Sequence, residues 1–399
     1  MGLAHPVACK AVYNVAHPGV VAGVGSMQGY RVSMEDTHSL CVPLRRHPNT
    51  HLLAVFDGHG GSAAAQFAER EIARNVDLLD VIEEAGVRRV IMEADSRFLA
   101  ESNQSCKQGA CLVMAVVTAS AANGEWDVLC VNVGDSRILV GTVPGSAEHE
   151  IDCRVMTVDH KPEVSQERER IVNAGGSVVM GRIDRTLAVS RALGDWVFKS
   201  NDSLPPDEQK VVSVPEFTRT TVGCGAFLLV ACDGIFEAMS SAQVASFVGR
   251  DLAETSCADP AMTVARLLDA SLRSGSKGDM DNMTCIVACF VDADGVPVER
   301  RFVHPEPLPN FEAMRQVDRV AFCRAYLSFA ESYGFRHDAE KVLSSHGFDV
   351  AHCSTLRKRR HKGMQMRERA VHGLTIAACI VAVIAVIMAF TRLTAIYPT

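Results

Sequence analysis

The sequence predicts an α+β domain, in which apolar strands pair as hairpins and amphipathic helices are grouped beside them. Three observations carry this. The runs LVMAVVTA and WDVLCVNV flank Asn123-Gly124, a two-residue hairpin signal. FLLVACD and TCIVACFV are apolar runs of buried-strand length, and the helical patterns over residues 241–254 and 260–273 lie together between them. Strands and helices therefore come in groups, where a parallel sheet of βαβ units would alternate them.

Taken in order, residues 51–56 (HLLAVF) form a short strand that ends in DGHGG. SAAAQFAEREIARNV follows, with Ala65, Ala68, Ile72 and Val76 at helical spacing. After the Asn123-Gly124 hairpin, RILVGTV continues as a strand. A helix is expected from Pro162 toward Ala174, with proline at its start and Gly175-Gly176 past its end. Residues 1–293 read as one domain. VPVERRFVHPEPLPN then carries four prolines, so residues 294–310 read as a linker. Phe311, Met314, Val317, Val320, Ala321 and Tyr326 fall near helical spacing, which makes 311–350 an appended helical segment. Residues 351–372 are basic, and the nineteen residues from Gly373 to Thr391 contain no charge.

Composition excludes several classes. The formal net charge is -7, so the chain lacks the basic field of a nucleic-acid binder. Fourteen cysteines could suggest a disulfide scaffold, but most lie in apolar runs and none forms a CxxC pair. Free, buried thiols in a reducing compartment account for them better than disulfides or a zinc ribbon. MGLAHPV lacks the basic-then-apolar build of a secretory signal, and Pro6 stands where myristoylation of Gly2 wants Ser or Thr.

Five carboxylates occur in settings that suggest metal ligands: Glu35 and Asp36 in RVSMEDTH, Asp57 in FDGHGG, Asp233 in LLVACDG and Asp281 in GDMDNMT. Three of them adjoin strand-like runs. The rim of an apolar sheet has no reason to collect unpaired carboxylates unless a cation offsets their repulsion. All-oxygen ligation suits Mg²⁺ or Mn²⁺, and a pair of such ions can promote in-line displacement at phosphate. Singly, an Asp-Gly is more often a turn; the ordered set is what counts.

That set, in the order SMQGYRVSMEDTH, FDGHGG, NVGDSR, DHKP, RIVNAGGSV, LAVSRALGD, VPE, CDGIFE and DNMT, closely resembles the type-2C metal-dependent serine/threonine protein phosphatases over about residues 24–290. The resemblance implies two antiparallel sheets packed face to face with helices on both outer sides. It implies a monomeric catalytic domain with two Mn²⁺ or Mg²⁺ ions, and hydrolysis of phosphoserine and phosphothreonine in proteins by a metal-bridging hydroxide. Carried over by position, Asp57 bridges the ions, Asp233 and Asp281 complete the first site, and Glu35 with the Gly58 carbonyl completes the second. Asp36 orients water, Arg31 grips the substrate phosphate and His59 protonates the leaving alkoxide. Asp135 matches a weaker third metal site. The residues alone also permit plainer roles, with Arg31 as an ion-pair partner of Glu35 and His59 as a helix cap.

The chain departs from the family pattern in three places. Cys111 replaces a common Thr, Glu237 stands where Asp is usual, and Arg185 stands where a Gly normally precedes LAVSRALGD. The first two bear on the third metal and the last on the substrate-facing loop. His352-Cys353 followed by Arg359 matches the HCx5R pattern of cysteine-dependent phosphatases, but no strand precedes it and STLRK between them lacks the glycine such a loop needs.

The uncharged span at 373–391 is long enough to cross a ~30 Å hydrocarbon core at ~1.5 Å per residue. It reads as a C-terminal tail anchor, and the preceding basic flank places the catalytic domain on the cytosolic side. Arg392 after a short span leaves the endoplasmic reticulum and the mitochondrial outer membrane both open. Two other functions compete with an active phosphatase. One is an inactive type-2C-like scaffold that binds phosphoproteins, and the other is a metal-dependent phosphodiesterase or nuclease.

Overall fold

The computed structural model describes residues 2–102, 106–120, 124–143, 151–275, 281–291, 300–304 and 314–350. Two antiparallel sheets face each other. The first opens with the hairpin β1 (Val7–His17) and β2 (Val20–Gly29), which turns at Gly19 with φ +84°. The second begins with β3 (Thr37–Cys41) and β4 (Thr50–His59). Helices α1 (Ala63–Asp77) and α2 (Glu84–Glu101) follow, and then the pair β5 (Gly109–Ala119) and β6 (Trp126–Val133) around the expected hairpin.

The chain returns to the first sheet with β7 (Arg137–Thr142) and β8 (Cys153–Val155). An excursion carries α3 (Ser165–Asn173), the small ribbon β9 (Val178–Val179) and β10 (Arg182–Ile183), and β11 (Leu193–Gly194). Next come β12 (Glu216–Val222), β13 (Ala226–Ala231), α4 (Asp233–Phe236), α5 (Ser241–Glu254), α6 (Pro260–Ser274) and β14 (Met283–Phe290). Last are β15 (Arg300–Val303), α7 (Gln316–Ser332) and α8 (Arg336–Ser345). The sheet orders are β15-β1-β2-β14-β13-β7-β8 and β12-β6-β5-β4-β3, with β11 paired to β5.

Strand alternation sorts the side chains into layers. Val24, Val55, Val113, Leu228 and Ile286 meet between the sheets. Phe56, Leu112 and Met114 point the other way, onto α1 and α2. Leu229, Val287 and Cys285 face α5 and α6. Four layers result, as the resemblance implied. Helix α6 begins on Pro260 behind an Asp259 side chain that accepts from the Met262 amide, and α5 begins with a Ser240/Gln243 capping box. A Cβ on Gly23 would lie 2.1 Å from the Ala261 nitrogen, so the bare strand surface is what lets α6 seat.

Three expectations change in detail. The helix expected from Pro162 starts at Ser165, because Pro162 and Val164 belong to a turn, and it ends before Gly175 at φ +79° as expected. The stretch read as a linker contributes β15, which pairs with β1 from Tyr13 to Lys10. Its prolines flank the strand without interrupting it. The appended helical segment is a hairpin, α7–α8, whose Phe322, Tyr326, Phe329 and Leu343 pack on Val7, Cys9 and Ala11 of β1. No described helix is long and apolar enough to cross a membrane. The span 373–391, its basic flank and the HCx5R pattern lie outside the described residues.

Candidate metal centre

The ends of the strands gather the predicted carboxylates. Asp57 is near the end of β4, Asp233 starts α4 directly after β13, and Asp135 lies in the turn between β6 and β7. One carboxylate oxygen from each of these three comes within 4.8 Å of the others. Asp281 precedes β14, and its carboxylate accepts from the Asn282 amide at 2.6 Å. Glu35 reaches the start of α1, where it accepts from the Gly61 amide at 3.0 Å and from the Ser33 hydroxyl at 2.9 Å. Gly58 brings β4 against the Glu35 backbone so closely that a Cβ there would sit 2.4 Å from the Glu35 carbonyl oxygen.

Asn282 locks this arrangement. Its side chain accepts from the Glu35 amide at 2.8 Å and donates to the carbonyls of Gln28 and Ser33 at 2.9 and 3.0 Å. The loop that carries Glu35 and Asp36 is thereby fixed to the start of β14.

The cluster is electrostatically unfavourable as it stands. Burial first, then the charges of Asp233, Asp36, Asp281 and Asp135, hold the Asp57 carboxyl well above the usual carboxylate range. Asp233 is raised likewise, by burial and then by Asp135, Asp281 and Glu237. Asp281 is raised chiefly by burial, against the opposing charge of Arg31. Burial and then Asp281 push Asp36 up to about 7. Asp36 Oδ2 and Asp233 Oδ1 are buried and without a hydrogen-bond partner. Orphaned carboxylate oxygens in an all-oxygen set fit a hard divalent cation, which would replace mutual repulsion with attraction.

Two expected site residues have partners that the simpler readings did not name. Arg31, half exposed, pairs with Asp281 and not with Glu35. His59 does not cap α1; its Nε2 lies 2.7 Å from Asp195 Oδ2. Burial opposes the imidazolium, but the hydrogen bond and charge of Asp195, with Asp135 and Glu35 beyond, outweigh it and raise the His59 pKa. Asp195 itself takes a left-handed backbone, φ +56°, that turns its side chain onto His59. Both groups crowd Gly109, where a Cβ would meet Asp195 Oδ2 at 2.1 Å and His59 Nε2 at 2.4 Å. Below them, Asp95 of α2 accepts from the Gly194 amide at 2.7 Å and from Lys199 at 2.6 Å.

The three departures acquire physical accounts. Cys111 lies opposite Asp57 in the β4–β5 register, and its thiol donates to Asp135 Oδ1 at 3.4 Å. Burial, then the Asp135 charge, push that thiol well up, so it remains a neutral donor as the usual Thr would be. Glu237 caps α4 beside Asp233, and burial and then Asp281 raise its carboxyl. Arg185 takes φ +62°, the left-handed region that explains why glycine is usual there. Sequence reasoning did not single out Asp195, Lys161 or Asn282. Each stood in a quoted motif (LAVSRALGD, DHKP, DNMT), and that was the available signal. Lys161 pairs with Asp135; burial works against its charge, yet the surrounding carboxylates raise its pKa.

Comparison with known proteins gives a consistent result. The profile of the family described as "Protein phosphatase 2C" matches residues 20–280. A probable protein phosphatase 2C of Caenorhabditis elegans is 34% identical over 71% of this chain and 78% of its own. Protein phosphatase 2C homolog 2 of Schizosaccharomyces pombe is 30% identical over 69% of this chain and 74% of its own. Among solved structures, a phosphatase from Toxoplasma gondii superposes with a TM-score of 0.66 at 25% identity, covering 74% of this chain and all of that one.

Proposed function

This chain belongs to the protein phosphatase 2C family and is a protein serine/threonine phosphatase, and from that premise we propose that the acidic cluster holds two divalent cations which drive hydrolysis of phosphoserine and phosphothreonine in proteins. The observation that carries the reading is the convergence of Asp57, Asp135 and Asp233 within 4.8 Å, with one orphaned oxygen on Asp233 itself and another on Asp36. Asp57, Asp233 and Asp281 would hold one ion, and Asp57, Glu35 and the Gly58 carbonyl the other. Asp135, tied to Cys111 and Lys161, would contribute to a weaker third site. When bound, Mn²⁺ or Mg²⁺ supplies charge neutralisation at the phosphate and activation of a water molecule.

The chain's own residues supply the rest. Asp36 accepts from the attacking water through its orphaned oxygen. The Arg31 guanidinium, half exposed beside the cluster, offers a fork that matches two phosphate oxygens. A serine alkoxide is a poor leaving group and needs a proton as its bond to phosphorus breaks. His59 carries one at the cleft, and Asp195 holds its ring in place. An inactive scaffold is the weaker reading, because the carboxylates repel each other and only a cation gives them a reason to be there.

We also propose that residues 373–391 anchor the enzyme in a membrane with the catalytic domain facing the cytosol. The uncharged span and the basic cluster before it support this. Hydrolysis of a phosphothreonine peptide by the purified chain tests the chemistry. Chelation should abolish turnover, Mn²⁺ or Mg²⁺ should restore it, and Asp57→Asn and Asp281→Ala should stay inactive. Full turnover in the chelated enzyme would refute the metal mechanism.

A further inference from the structure

We infer that Asp95, with its partner Lys199, is a positioning residue for the proton donor: from helix α2 it fixes the turn that carries Asp195, and through Asp195 the ring of His59. The inference rests on the reading of His59 as the general acid and names what holds that acid in place.

The local sequence makes Asp95 an anomaly. Helix α2 buries Val87, Val90, Ile91, Ala94 and Phe98 at helical spacing, and Asp95 is the one charged residue on that buried face. Its side chain and that of Lys199 are almost wholly buried, 2.6 Å apart. Stability alone gives little reason for such a pair, since well-packed apolar residues in its place are often as stable or more so. The hydrogen bonds of the pair point to another role. Asp95 Oδ1 accepts from the Gly194 amide at 2.7 Å, and Lys199, held on Oδ2, donates to the Ala192 carbonyl at 2.8 Å. These two contacts bracket β11 from α2.

Strand β11 needs such a bracket because the turn after it is strained. Gly194 and Asp195 take φ +78° and +56°, two left-handed residues in succession, and the second carries a Cβ. A backbone of this kind persists only where its surroundings over-determine it. Strand β5 supplies one side: Leu193 and Gly194 pair with Ala110 and Gly109, and the Asp195 amide donates to the Gln108 carbonyl at 2.9 Å. Asp95 and Lys199 supply the other. The turn brings Asp195 Oδ2 to 2.7 Å from His59 Nε2. An ionised carboxylate only accepts, so Nε2 donates in this bond and the ring's orientation follows the Asp195 backbone. Without Asp95, the buried Gly194 amide has lost its acceptor, the turn relaxes, and the ring loses its bearing on the leaving oxygen.

Leaving-group dependence is the readout. A misplacement of about 1 Å costs up to about 10²-fold, and Asp95 acts through Asp195; Asp95→Ala should therefore lower kcat on a phosphoserine peptide roughly tenfold, and on an aryl phosphate less than about twofold. In a His59→Gln background the same substitution should change neither rate by more than about twofold, because the acid it positions is gone. Both rates are measured on the full-length enzyme in detergent with Mn²⁺, with the thermal unfolding midpoint recorded alongside. Asp95→Ala leaves Lys199 buried and unpaired, so the pair replacement Asp95→Leu/Lys199→Met serves as a second variant; it removes both charges and should discriminate between the substrates in the same way. Asp95→Asn, which keeps an acceptor for the Gly194 amide, should recover most of the peptide rate. Asp269→Ala breaks the buried Lys10–Asp269 pair between β1 and α6, and should lower the unfolding midpoint without altering the ratio of the two rates. If His59→Gln discriminates between the substrates while neither Asp95→Ala nor the pair replacement does, Asp95 is only structural and the inference is overturned with the general acid intact. If His59→Gln slows both substrates equally, His59 is not the acid and both readings fall.

Discussion

Glu167 offers a measurement of how the excursion between β8 and β12 is held. This side chain, on α3, is only 3% exposed, yet it is charged, with Arg191 at 2.7 Å and Arg170 at 2.8 Å. Arg191 also reaches Glu216 at 2.9 Å and the Val214 carbonyl at 3.2 Å, so one carboxylate ties α3 to LAVSRALGD and to β12. Burial alone would raise the Glu167 pKa, but the hydrogen bonds from Arg191 and the adjacent Arg170 guanidinium overcome it and lower it from 4.5 to about 2. That difference corresponds to roughly 3 kcal/mol of stability at neutral pH. The sign follows from the lowered value. The contribution is fully present above the unfolded pKa of 4.5 and is lost as pH falls toward about 2. Glu167→Gln leaves two arginines without their shared counter-charge, and about 3–5 kcal/mol of destabilisation is expected. At roughly 2 °C per kcal/mol, the unfolding midpoint should drop by about 6–10 °C. Urea unfolding at several pH values checks this: the gap between wild type and Glu167→Gln should be widest near pH 7 and close as pH falls below 4.5. A gap that is absent at pH 7, or constant down to low pH, would refute the argument.

Other expectations concern the site and the chain's end. His59→Gln should slow phosphoserine hydrolysis by about 10²–10⁴-fold but an aryl phosphate far less, because a phenolate leaves without a proton; equal losses in kcat would make His59 structural. Cys353→Ser should leave turnover unchanged, since the chemistry is assigned to the carboxylates. Truncation before Arg357 should give a soluble enzyme with near-normal turnover on phosphopeptides. Truncation before Met314 should not, because it strips Phe322, Phe329 and Leu343 from the covered face of β1. Fractionation and peptide assays of both forms decide.

The strands and helices that carry clear periodicity were legible: α1, α5, α6, the β5–β6 hairpin and β13–β14 lie where the pattern puts them. Strands β1 and β2 escaped notice because their small residues, including Gly23 and Gly25, make room for α6 and blur any alternation. Strand β15 was hidden by its flanking prolines, and its place was decided by pairing with a strand almost 300 residues earlier, which no local pattern encodes. The carboxylates were legible because charge at a strand end is locally odd. Asp195, Lys161 and Asn282 were not, because their work depends on partners distant in sequence: His59, Asp135 and the Glu35 loop.

The hairpin and the proposed anchor divide the C-terminal region into parts with different physical relations to the catalysis. Residues 314–350 share a hydrophobic cluster with β1, so they fold with the catalytic layers and can transmit force to them. An anchor at 373–391 would act instead through location, raising the concentration of membrane-bound substrates near the cleft without altering the chemical step. The two effects separate experimentally. Loss of the anchor should change which phosphoproteins are hydrolysed in cells while turnover on a soluble peptide stays constant. A fault in the hairpin, which uncovers β1, should lower stability and with it turnover on every substrate alike. A chain truncated before Arg357 that lost Mn²⁺ affinity along with its membrane association would break this division, and would mean that the basic segment reaches the catalytic domain.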